Sequence, residues 1–166
     1  MKMDISGFDL RDLLLAAIKS EIESGDYYRA IRDRVKNSFL KERLDFLARE
    51  EDRHREFFEK LYADKFSRAP MELPEKSPVP LPELKISEEM IPLSEVFWMA
   101  MQAEKGAHDF YLSLSKRYAD APEVQKMLRY IAGMEMGHYR LLESEKENAE
   151  KIENYDQEWP MTHMGP

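Results

Sequence analysis

Apolar residues recur along this chain at the three- and four-residue spacing of amphipathic helices. From Leu10 to Phe66 there is no proline and one glycine, Gly25. From Leu93 to Glu158 there is one proline, Pro122, placed where a helix would begin. Between these blocks, Ser67 to Pro92 holds six of the nine prolines and shows no periodic apolar face. That segment cannot be a long helix. Each flanking block is too long for one ordinary helix. Lys36-Asn37-Ser38 offers an N-cap within the first, and Ala119-Asp120-Ala121-Pro122 a stop and restart within the second. The pattern predicts helices over 8–36, 38–66, 93–119 and 122–152, each about 40 Å long at 1.5 Å per residue. Tight connections make two antiparallel hairpins, and the 67–92 connector is long enough to run the length of a bundle. The expectation is an all-α, single-domain four-helix bundle built from two hairpins with a long Pro-rich crossover, followed by a tail over 153–166.

The apolar stripes carry an anomaly. Positions at −11, −7, −4 and +7 from any helical residue lie within about 40° of it. Around Glu21 these are Leu10, Leu14, Ala17 and Tyr28; around Glu51, Leu40, Leu44, Leu47 and Phe58. Around Glu104 they are Leu93, Phe97, Ala100 and Tyr111; around Glu135, Val124, Leu128, Ile131 and Leu142. All of them are apolar or aromatic. Each helix thus points one glutamate out of the centre of its buried stripe.

The two halves also repeat. Ala17-x-x-x-Glu21-x6-Tyr28 returns as Ala100-x-x-x-Glu104-x6-Tyr111. Phe46-Leu47-Ala48-x-x-Glu51-x-x-His54 returns as Tyr130-Ile131-Ala132-x-x-Glu135-x-x-His138. Two hairpins of one design, packed face to face, give pseudo-two-fold symmetry and bring the four glutamates together.

Four ionised carboxylates in one core would repel one another and mostly protonate. At −7, −4 and +7 from each glutamate no Lys or Arg stands on the buried stripe to compensate. Two divalent cations would: four negative charges meet four positive ones. His54 and His138, three residues after their glutamates, add neutral nitrogen donors on the same faces. Mixed oxygen and imidazole ligation suits iron or manganese better than calcium or magnesium. A lone Glu-x-x-His is weak evidence; its registration with two further buried glutamates and two tyrosines carries the reading. Tyr28 and Tyr111, seven residues beyond a glutamate, are placed to donate to a carboxylate on a neighbouring helix. Glu50, 100° from Glu51, reads as surface charge. His108 reads as a helix-face residue, and His163 lies in the tail.

Composition narrows the class. The chain has 166 residues, 33 Asp plus Glu against 25 Lys plus Arg, a net charge of −8 and no cysteine. The acidic balance argues against a nucleic-acid or anionic-membrane partner. Absence of cysteine removes disulfides, thiol catalysis and cysteine-ligated metal centres. The longest apolar run near the start, Leu13 to Ile18, is too short for a signal peptide or a membrane span, and a cytoplasmic location is the default. Phe57, Tyr27, Phe110 and Tyr62 flank the stripes as candidates for a homodimer face. The 67–92 connector and the Trp159 tail are equal candidates to cover the same surface.

At these residues the chain resembles the ferritin-like superfamily, and within it the rubrerythrin-type di-iron domain, over about residues 8–152. The resemblance implies metal ligands at Glu21, Glu51, His54, Glu104, Glu135 and His138, with Tyr28 and Tyr111 supporting them from behind. It implies two iron ions, with manganese or mixed metals as alternatives. It implies reduction of peroxide or dioxygen in oxidative-stress defence, with ferroxidase and iron sequestration, or a di-iron oxygenase, as rival activities. Two departures stand out. Rubrerythrins typically carry a further glutamate three residues after the third-helix ligand, where this chain has Ala107. They also usually carry a cysteine-bearing rubredoxin domain, which is missing here. The electron donor would then be external, such as a rubredoxin-like protein.

Overall fold

The computed structural model describes residues 9–66, 70–79, 81–82 and 91–158, of which 155–158 are described as backbone only. Four helices account for most of them: α1 Leu10–Arg34, α2 Ser38–Phe66, α3 Leu93–Arg117 and α4 Pro122–Glu158. Three of the starts have a local cause. Asp9 caps α1 in a reciprocal box with Asp12, each side chain accepting from the other's backbone N–H. Asn37 accepts from the Leu40 amide and so caps α2. Pro122 takes the first position of α4, where its missing N–H is no loss. Replacing Asp9 by Ala is expected to cost about 1 kcal/mol in urea unfolding, with no change in the slope of the transition.

Packing follows the stripes. Of the sixteen residues that surround the four glutamates, fourteen are buried; Leu10 and Leu93, at helix starts, are half-buried. The core divides into two apolar clusters at opposite ends of the bundle. One joins the start of α1 to the ends of α2 and α3 and the start of α4, through Leu14, Phe58, Tyr62, Leu114 and Leu128. The other joins the end of α1 to the starts of α2 and α3 and the far part of α4, through Ile31, Leu40, Phe97 and Leu142. The helices are therefore antiparallel within each hairpin, and α3 runs antiparallel to α1. The glutamates lie between the two clusters.

The crossover makes that topology. Pro70 accepts hydrogen bonds from Arg11 and Tyr62, and the Ser77 amide donates to Glu23, half-way up α1. The segment thus runs along α1 from its start towards its end. This explains why all of Leu13 to Ile18 is buried, on every side of the helix. The inner sides pack in the bundle, and Leu15 and Ala16 line a shared pocket with Pro74 and Pro78 of the crossover.

Three expectations need correction. The fourth helix does not stop at 152 but runs to Glu158. Residues 153–158 contain no helix breaker, and the next proline is Pro160. The expected dimer face is mostly interior: Tyr27, Phe110 and Tyr62 are buried and only Phe57 is half-exposed. Glu50 is not surface charge but 7% exposed, with Arg53 as its partner. Trp159 and His163 lie outside the described residues. Among the described residues no helix is long and apolar enough to cross a membrane.

Candidate metal centre

The six residues singled out by spacing converge at mid-bundle. Glu21 comes from α1, Glu51 and His54 from α2, Glu104 from α3, and Glu135 and His138 from α4, and all six are buried. Their donor atoms form two groups. Glu21, Glu51, His54 and Glu135 make one; Glu51, Glu104, Glu135 and His138 make the other, with the atoms of each group within 4.8 Å of one another. Glu51 and Glu135 belong to both groups. The remaining four split evenly, one carboxylate and one imidazole to each, as the internal repeat requires.

The polar atoms here lack ordinary partners. His54 Nδ1 lies 3.0 Å from Glu135, 3.4 Å from Glu21 and 3.5 Å from Glu51. None of these contacts is aligned as a hydrogen bond, and neither nitrogen of His54 has a partner. His138 Nδ1 lies 3.4 Å from Glu104 and 3.6 Å from Glu135, again unaligned. Glu21 Oε1, Glu104 Oε2 and both oxygens of Glu135 are likewise buried without a hydrogen bond. Buried polar atoms are nearly always satisfied. A set of lone pairs aimed at shared points and bonded to nothing fits cation ligation.

The electrostatics of the protein alone agree. Burial, followed by the charge of Glu51, pushes Glu21 well above the usual carboxylate range. Burial raises Glu104 to about 8, against the opposing pull of His138. Burial would lower both histidines, but the carboxylates around them win. His54 is raised by Glu135, Glu21 and Glu51, and His138 is raised to about 10 by Glu104 and Glu135. Without a cation the cluster holds protons in its place.

The tyrosines differ from each other. Tyr28 donates to Glu104 Oε1 across the α1–α3 contact at 2.6 Å, holding that carboxylate in one orientation. The Tyr111 hydroxyl is buried with no partner, and its ring stacks on Phe58 at 5.3 Å. Its symmetry-related target, Glu21, has turned one oxygen towards His54 and left the other unbonded. His108 is no part of either donor group; its Nδ1 sits 2.7 Å from the Ala132 carbonyl and ties α3 to α4. Ala107 is buried and brings no donor, so α3 supplies Glu104 alone.

Comparison with known proteins adds an independent line. The family model described as rubrerythrin matches residues 12–146. Among solved structures, a hypothetical protein from Pyrococcus furiosus is 31% identical, with a TM-score of 0.75, and the match covers 90% of this chain and 95% of that one. No curated protein matches the chain.

Proposed function

Because the chain belongs to the rubrerythrin family, a ferritin-like di-iron family, we propose that its buried cluster holds two iron ions and reduces hydrogen peroxide with electrons from an external donor. The observation that carries this reading is the pair of four-donor groups sharing Glu51 and Glu135, with unsatisfied lone pairs, between two apolar clusters. Glu21, His54, Glu104 and His138 would each serve one ion, and Glu51 and Glu135 both. Iron held by these residues would supply the redox chemistry, one electron from each of two ions, that the balance H2O2 + 2e⁻ + 2H⁺ → 2H2O requires.

The protein's part is to hold, orient and shield. The four carboxylates balance two divalent charges, so the loaded core is neutral. The apolar clusters above and below exclude water from the helix axis. Tyr28 fixes Glu104, while Glu21, whose counterpart tyrosine makes no hydrogen bond to it, is the freer carboxylate. With Ala107 on α3, a ligand exchange using a further glutamate three residues after Glu104 is not open to this chain. These 166 residues hold no cysteine that could relay electrons, and a rubredoxin-like donor is the proposed source of re-reduction.

The test is anaerobic stopped-flow spectroscopy on the reduced, iron-loaded protein. One equivalent of peroxide per two irons should oxidise the site fully, faster than dissolved dioxygen does. No peroxide-dependent oxidation, or a large mineral-filled shell by size and iron content, would instead favour iron storage.

A further inference from the structure

A buried site that turns over a small oxidant needs a way in, and the four seams of the bundle are not equally closed. Between α1 and α2, Arg29 pairs with Asp52 and Arg32 with Asp45. Arg29 also lies so close over Gly25 that a Cβ there would meet it at 2.9 Å. Between α3 and α4, the His108 ring reaches the Ala132 carbonyl. Between α1 and α3, Tyr28 bonds to Glu104 with Tyr27 edge-on behind it. The α2–α4 seam is different. Outside the cluster itself, its polar cross-link among the described residues is Arg43 with Glu145, about three turns from His54 along α2 and about two from His138 along α4. The Glu50–Arg53 pair runs along α2 and crosses nothing.

The two imidazoles line the floor of this seam. Their rings stack at 6.3 Å with an interplanar angle of 22°, one from each helix. His138 is the least covered of the six donors at 7% exposed, whereas Glu135 is at 0%. The Phe46 ring packs edge-on to the His138 ring at 6.0 Å and is itself 38% exposed, so it stands between that ligand and solvent. It occupies the α2 side of the seam on the same face as Glu50, one turn away.

We propose that small oxidants reach the cluster through the α2–α4 seam and that Phe46 sets the size limit of that route. This deepens the functional reading and rests on it for the identity of the oxidant, but the route itself concerns access to the ligands. An apolar ring edge over an imidazole admits a small neutral molecule and disfavours hydrated anions and bulky peroxides. Phe46 is a selecting residue, not a catalytic one, because it touches a ligand and not the reacting atoms.

The iron-loaded, reduced protein is treated with 2,2′-bipyridine, and release is followed by colour. Phe46→Ala should speed removal by about tenfold, equivalent to about 1.4 kcal/mol on the barrier, and Phe46→Trp should slow it. Trp98→Ala, which removes an exposed aromatic from α3, should leave the rate unchanged. Turnover with tert-butyl hydroperoxide relative to hydrogen peroxide should rise in Phe46→Ala. If both Phe46 variants release iron at the wild-type rate, or if Trp98→Ala accelerates release as much as Phe46→Ala, the route is wrong. The chelator reading holds even for a protein that does not reduce peroxide, so failure of the route and failure of the peroxidase reading are distinguishable.

Discussion

Replacing Glu135 by Gln should empty both metal positions, whereas replacing Glu21 by Gln should empty one. The asymmetry comes from sharing. Glu51 and Glu135 contribute to both four-donor groups, and Glu21 and Glu104 to one each. Loss of Glu21 leaves Glu51, Glu104, Glu135 and His138 intact as a set. Loss of Glu135 removes a carboxylate from each set, together with the negative charge nearest His54. Metal per chain, measured by elemental analysis after gel filtration, should therefore fall close to zero for Glu51→Gln and Glu135→Gln. It should fall to about half of the wild-type value for Glu21→Gln and Glu104→Gln, because each retains one full donor group. Equal losses in all four variants would contradict the shared arrangement.

Stripped of metal, the protein should lose stability steadily as pH rises from about 5 to 9. The folded state holds protons that the unfolded state releases. Glu104 has a folded value of about 8 against an ordinary 4.5, Glu21 is also raised, and His138 is at about 10 against 6.5. Every shift is upward. Each group's contribution is thus fully present below its unfolded value and is lost as pH climbs through its folded value. The window is set by Glu104 between about 4.5 and 8 and by His138 between 6.5 and about 10. One extra bound proton corresponds to about 1.4 kcal/mol per pH unit, so two units lower the melting temperature by on the order of 10 °C. Metal-loaded protein should lack this loss: its stability should rise to about pH 7, as the unfolded chain's histidines give up protons that metal-bound imidazoles cannot carry, and then stay level. Thermal melts of both forms at closely spaced pH values check this. A metal-free protein that grows more stable towards pH 9 would contradict the charge assignment.

Much of the fold and of the cluster is legible in the amino-acid sequence, because helical periodicity reports burial directly. A glutamate whose neighbours at −11, −7, −4 and +7 are all apolar has nowhere to point but the core, and Glu21, Glu51, Glu104 and Glu135 all do so. The repeat then implies that they meet. Periodicity is blind to contact between elements that have no period. The crossover's path along α1 depends on Pro70, Ser77 and Val79 finding Arg11, Tyr62, Glu23 and the outer side of α1. The buried run Leu13 to Ile18 is the available hint, since a helix covered on one side only would not need it. Glu50 escapes a reading that gives each helix one buried stripe, because α2 also faces α4 across the seam that Phe46 overlooks. The extra turns of α4 escape it too, because a polar sequence without a breaker looks like a tail. The difference between Tyr28 and Tyr111 is a matter of which way one carboxylate turns, and no spacing encodes that.

A core with two four-donor groups sharing Glu51 and Glu135 is expected to hold two metal ions. The most direct measurement is the metal content of the wild-type chain, produced in iron-replete cells and purified without chelators, by mass spectrometry against a protein concentration from amino-acid analysis. Close to two metal ions per chain, chiefly iron, are expected. Fewer than one per chain, with the fold intact, would contradict this.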